Sequence, residues 1–166
     1  MKTLRSQKPG ISADRWIPTA LWSEITEKMP IACVDIIFQK PDRSILYGHR
    51  LIPPYRNVWA LLGGRILYGE NLFQSARRIA NEYGLEFERL YLNGVFPITF
   101  QHRSDMVISL AARRLSGSPC VDGFEFSKFI WSKTPPNGLG TNYLRMILNW
   151  RRAVKSYEFL RLNRLA

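Results

Sequence analysis

Gly63, Gly64, Arg65, Glu70, Arg78 and Glu82 have the types and spacing of a site that holds a cation against a phosphate. Two adjacent glycines let the backbone turn sharply and come close to a ligand that a side chain would obstruct. Five residues separate Gly64 from Glu70, and seven separate Glu70 from Arg78. Carboxylates presented from a helix suit a hard ion such as Mg²⁺ or Mn²⁺, which prefers oxygen ligands. Such an ion neutralises diphosphate charge and stabilises a departing phosphate. Arginine adds a planar fork that matches phosphate oxygens.

The elements around these residues follow from punctuation and periodicity. Pro18-Thr19 and then Ala20 to Met29 read as an N-terminal helix, capped by Thr19 and ended by Pro30. Ile31 to Gln39 reads as a buried strand interrupted by Asp35, a residue that needs a partner when buried. The turn Pro41-Asp42-Arg43-Ser44 leads to a returning strand, Ile45 to Arg50. Val58 to Leu62 is a short strand that delivers the chain to the glycine pair. From Glu70 to Tyr83, Leu72, Phe73, Ala76, Ile79 and Ala80 recur at helical spacing, with Arg78 and Glu82 sharing a face and Gly84 as the stop. Two strands follow, Arg89 to Gln101 and Asp105 to Leu115, then a third at Phe124 to Trp131. A long helix from Thr141 to about 162 or 163 carries Leu144, Ile147, Leu148 and Val154 on one side. Residues 1–15 read as a loose N-terminal segment of a single domain spanning 1–166. The order of helices and strands fits α/β architecture, a mixed sheet covered on both faces.

The run from Trp59 to Leu85 resembles a Nudix box, whose pattern is Gly, five residues, Glu, seven residues, Arg-Glu-apolar-x-Glu-Glu-x-Gly-apolar. Gly64, Glu70 and Arg78 keep that spacing, and Gly84-Leu85 close it. Ile79 stands where the pattern has Glu, and one position near the Glu-Glu pair is missing. Glu82 is therefore the first member of that pair counted from Arg78 and the second counted back from Gly84. The resemblance implies a Nudix fold, a mixed sheet between helices. Met29 to Ile36, Ile45 to Arg50, Pro53 to Trp59 and Gly63 to Arg65 are further similar to the GDP-mannose mannosyl hydrolase branch, over roughly Trp16 to Trp150.

That branch implies hydrolysis of a nucleotide sugar at the sugar carbon, releasing GDP and free sugar. It implies one Mg²⁺ or Mn²⁺ held by the Gly63 carbonyl, Glu82 and Glu125, with Glu125 in place of the branch's Gln. The branch's catalytic His falls on Phe126, which cannot accept a proton. His102, in the turn between two strands, is then the candidate base, against the plain reading of a solvated turn residue. Arg50 and Arg65 match positions that contact the diphosphate and assist the leaving group. Asp35 matches a nucleotide contact, and a structural hydrogen bond serves equally. Arg78 is expected to orient Glu70 or a metal-ligating carboxylate, and Glu70 to hold the loop to the helix. Attack at phosphorus, giving a monophosphate and a sugar phosphate, is a variant within the same class. The lost groups leave a second class open, a Nudix domain that binds a nucleotide or nucleic acid without turning it over. Relatives in this branch are often dimers, which makes the helix up to Met29 a candidate surface for a homodimer.

Composition sets the remaining bounds. A chain of 166 residues suits one domain with a sizeable core. The apolar runs are strand-sized and none approaches a membrane span, so no membrane partner is expected. Cys33 and Cys120 make no disulfide framework, and the basic N-terminus lacks the apolar stretch of a signal peptide, so a reducing cytoplasm is expected. The net charge of +11 draws anions, a nucleotide diphosphate or a nucleic acid backbone, unless it is only a solvated basic surface.

Overall fold

The computed structural model describes residues 17–100, 103–156 and 160–162. The expected loose segment 1–15 and the candidate base His102 lie outside the described residues. Helix α1 spans Thr19–Lys28 and starts from Pro18, not from a Thr19 cap. The fixed φ of proline suits a helix start, and Pro18 has no side-chain oxygen to cap with. Strand β1, Ile31–Phe38, is the core of the molecule, with Val34, Ile36, Ile37 and Phe38 fully buried. It runs antiparallel to β4 (Leu62–Arg65) and parallel to β6 (Arg103–Gly117). A strand covered on both faces needs such a continuous apolar run.

Strand β5, Leu85–Phe100, pairs with β6 and completes most of a mixed five-stranded sheet. Its outer edge is taken by β8, Leu160–Leu162. The C-terminal helix α3 therefore covers Thr141–Ser156 and does not run on to 163. Its buried side is Tyr143, Met146, Ile147 and Trp150, while Leu144 and Leu148 are exposed. That stripe keeps the i, i+3, i+4, i+7 spacing and buries the two large rings, which offer more area than leucine.

The expected strand Val58 to Leu62 is two strands in two sheets. Strand β3, Trp59–Ala60, joins β2 (Ile45–Arg50) and β7 (Phe126–Ser132) in a small antiparallel sheet. The chain then crosses at Leu61 and enters the large sheet as β4. Helix α2, Leu72–Glu82, begins one turn of loop after the glycines, with a capping box between Asn71 and Gln74. It buries Ala76, Ile79 and Ala80 and ends at Gly84, whose φ of +71° suits glycine. A mixed sheet flanked by helices thus matches the expected architecture, with the second small sheet as an addition.

Candidate functional site

Arg78 ties three pieces of chain together. Its guanidinium donates to Glu70 Oε1 (2.7 Å) and Oε2 (3.0 Å), to Glu82 Oε1 (2.9 Å), and to the carbonyl of Arg65 (2.9 Å). Glu70 also accepts from Leu67 N–H (3.0 Å) and Ser75 Oγ (2.9 Å). Burial alone would raise the Glu70 carboxyl, but these donors outweigh it and hold it below its ordinary value. Loop, helix and the end of β4 are locked by one fork. The side chains of Glu70 and Arg78 thus sit where the spacing put them, and they face each other.

Helix α2 is continuous from Leu72 to Glu82, so Glu82 stands one turn after Arg78 and shares its face. Buried Tyr83 follows it as the helix C-cap. Ile79 is fully buried, and a Cβ at Gly64 would meet its Cδ1 at 3.6 Å. An apolar chain therefore lies beside the glycine pair where the box pattern has a carboxylate. Gly63 opposes Asp35 across β1 and β4. A Cβ there would collide with Asp35 Oδ1 and lie 2.5 Å from the Val34 carbonyl oxygen. Glycine at 63 is thus required by the carboxyl that leans over it.

Arg50 reaches the same place through a bulge. The β2–β7 register shifts between His49 and Arg50, and a bulge re-aims the side chain that follows it. Arg50 Nη1 lies 2.8 Å from Glu125 Oε1, with the side chains 14% and 8% exposed. Its Nε also donates to the Ile52 carbonyl (3.2 Å). Glu125 Oε2 accepts from Tyr83 Oη–H (3.2 Å). The Asp122 carboxylate fixes the backbone of this segment, accepting from the N–H groups of Phe124, Glu125 and Phe126. Burial pushes the Asp35 carboxyl up to about 7, with Arg50 pulling it back and Asp105 and Glu125 pushing it further. Asp35, Arg50 and Glu125 are therefore electrostatic neighbours, which joins two expected substrate contacts to an expected metal ligand.

Phe126 is fully buried, with its ring 5.4 Å from Tyr83 and 5.5 Å from Phe129. It also leaves no room for a side chain at Gly48. It belongs to the packing between α2 and the small sheet. Arg65 stacks over Trp22 of α1 at 5.1 Å, and Arg103 lies over the same ring at 5.5 Å. Burial and the Arg78 charge, then Arg103, lower Arg65 from its usual value. Cations crowd this end of β4, and an anion there would relieve them.

Several neighbours carried no signal in the sequence. Arg103 grips Asp105 in a fork of 2.5 and 2.6 Å at the start of β6. Tyr143 of α3 sits within the fields of Asp35, Arg50 and Glu125, and its hydroxyl is pushed up by burial first and by Asp35 next. The Tyr55 ring lies 5.4 Å from that of Tyr143, and Asn142 donates to the Tyr55 hydroxyl. An isolated Tyr or Asn matches no motif, and only the fold brings them here.

The expected metal set was Gly63, Glu82 and Glu125. Among the described residues, no group of three or more His, Cys, Asp or Glu side chains is arranged to hold a metal ion. Glu82 Oε1 is engaged by Arg78, and Glu125 is engaged by both Arg50 and Tyr83. In this arrangement both Glu125 oxygens and Glu82 Oε1 are committed to protein donors.

No family model matches the sequence, and no curated protein matches it. The solved structures do. A MutT Nudix hydrolase from Burkholderia pseudomallei superposes with a TM-score of 0.69 at 19% identity, over 74% of this chain and 98% of that one. The Nudix domain of Shewanella oneidensis NrtR, complexed with ADP-ribose, gives 0.65 at 17% identity, over 85% of this chain and 95% of that one. A Nudix hydrolase from Nitrosomonas europaea gives 0.62 at 14% identity, over 75% and 90%. The fold of this chain is that of the Nudix hydrolases.

Proposed function

We propose that this Nudix fold recognises a nucleoside diphosphate sugar and holds it without a divalent metal. The Arg50–Glu125 ion pair carries this reading, because it sets a fixed cation against a carboxylate that the resemblance assigned to the ion. The similarity of the sequence to the GDP-mannose mannosyl hydrolase branch favours a GDP-linked ligand. The ADP-ribose bound to the NrtR Nudix domain supports the same ligand class. The diphosphate faces Arg65 and Arg50, with the half-buried Tyr55 ring packed on the buried ring of Tyr143 behind them. Arg50 takes the position whose resemblance implied a diphosphate contact, and it meets the ligand from the Glu125 side.

Turnover is the second reading, a Mg²⁺- or Mn²⁺-dependent hydrolase releasing GDP and sugar. The locked Glu70–Arg78–Glu82 frame beside Gly63 favours it, since that frame is what the box uses to present a carboxylate. In that reading Glu82 and Glu125 are the carboxylates that would hold the ion, and His102 remains the candidate base. A nucleotide-sugar panel with Mg²⁺ or Mn²⁺, with both products identified, separates the readings. Intact ligand throughout, with binding retained, is the outcome expected. Metal-dependent products that disappear in Glu82→Gln would establish the hydrolase. GDP plus sugar would then mean attack at carbon, and a monophosphate plus sugar phosphate attack at phosphorus.

A further inference from the structure

Four elements that carry or adjoin residues of the candidate site, β1, β2, β7 and α3, bring other parts of their length to one groove. β1 leaves Asp35 and runs to Gln39, and β2 starts at Ile45 before reaching Arg50. β7 runs from Phe126 to Ser132, and α3 runs from Tyr143 to Lys155 and beyond. At a rise of about 1.5 Å per residue, Tyr143 and Lys155 are roughly 18 Å apart along α3. The groove has a volume of about 1170 Å³.

Arg43, Arg113, Lys133, Arg151, Arg152 and Lys155 line that groove, against Asp42 as its one carboxylate. Asp42 lies 4.0 Å from Lys133 and accepts from Ser44, so it answers one of the six cations. Among the described residues, Arg43, Arg113, Arg152 and Lys155 have no carboxylate within ion-pair distance. The six come from four separate segments, the β1–β2 turn, β6, the end of β7 and α3. Convergence from four segments differs from the merely solvated basic surface that the composition alone allowed. A second basic depression continues from it past Arg113 to Arg89 and Arg114.

We propose that this groove binds the phosphate backbone of a nucleic acid, at a site separate from the cleft. The groove exceeds the roughly 300–1,000 Å³ of a small-molecule pocket. Its chemistry is repeated guanidinium and ammonium, which suits repeated phosphates. Its aromatic member, Trp150, is fully buried and offers no face for a base to stack on. Recognition here is therefore sequence-independent and carried by charge.

The test is fluorescence anisotropy of a short labelled DNA duplex of arbitrary sequence, titrated with the full chain over a salt series. Four or five phosphate contacts give a log–log salt slope of about −4. Arg152→Glu/Lys155→Glu changes two exposed groove residues and is expected to weaken binding at least tenfold at low salt. Arg77→Glu/Arg145→Glu removes the same charge from exposed positions off the groove and is expected to change affinity less than twofold. Thermal melts matching the wild type keep either result attributable to the surface. Equal loss in both double variants would mean diffuse attraction to the +11 chain and would overturn the site, as would no binding at low salt. Nucleotide-sugar binding in the cleft is expected to be unchanged in both variants.

Discussion

A guanidinium and a divalent cation compete for the same carboxylate oxygens, and at Glu125 the guanidinium is tethered to the chain. Removing Arg50 therefore does two things. It uncovers the Glu125 carboxylate, and it removes a cation from the diphosphate. Arg50→Ala is expected to lower nucleotide-sugar affinity at least tenfold in chelator, measured by calorimetry. It is also expected to gain a melting-temperature rise with millimolar Mg²⁺ that the wild type lacks. A similar Mg²⁺ response in both proteins would show that Arg50 does not keep the ion out. Asp35 gives a pH signature. Its carboxyl is raised by burial from 3.8 to about 7, so the folded protein keeps a proton that the unfolded chain has lost in that interval. The stabilisation is complete below about pH 4 and is lost as pH rises through 7. Asp35→Asn is expected to gain stability relative to wild type between pH 5 and pH 8 in denaturant titrations, and a constant difference would contradict the shift. At this scale the sequence located Asp35, Arg50 and Glu125 but not their pairing. Arg50 turns onto Glu125 through a bulge, and a bulge has no residue signature in Ile45 to Arg50.

Helix α2 and the loop before it act as one unit because Arg78 bonds to both and to the Arg65 carbonyl. Arg78→Ala would strand the Glu70 carboxylate, whose side chain is 7% exposed, at a cost on the order of 3 kcal/mol. Arg78→Lys is expected to recover little, since one ammonium cannot reproduce the fork. Chemical denaturation of the three proteins reads both statements, and a full rescue by lysine would refute the fork. Gly63→Ala drives a Cβ into Asp35 and the Val34 carbonyl, with an expected loss of about 1–3 kcal/mol. The sequence showed the helix, its stop at Gly84 and the shared face of Arg78 and Glu82, because these follow from local periodicity. It read one strand from Val58 to Leu62 and ended it at the glycine pair, whereas the chain changes sheets at Leu61 and β4 runs on through both glycines to Arg65, a pairing with β1 that no local residue marks. It also ran α3 too far, since the pairing of Leu160–Leu162 with β5 is a long-range contact.

Across the whole molecule, the candidate site and the basic groove carry different chemistry. The first gathers carboxylates, tyrosines and arginines, and the second gathers cations with a single carboxylate. The charge of +11 was visible in the composition, but its convergence was not, because the contributing residues are spread from Arg43 to Lys155. The central claim concerns the cleft, and the most direct test is calorimetric titration of a GDP-linked sugar in Mg²⁺ and in EDTA. Product analysis of the same samples completes it. Equal affinity in both buffers and unchanged ligand are the results this account predicts. Binding that vanishes in EDTA, or release of GDP and sugar in Mg²⁺, would contradict it.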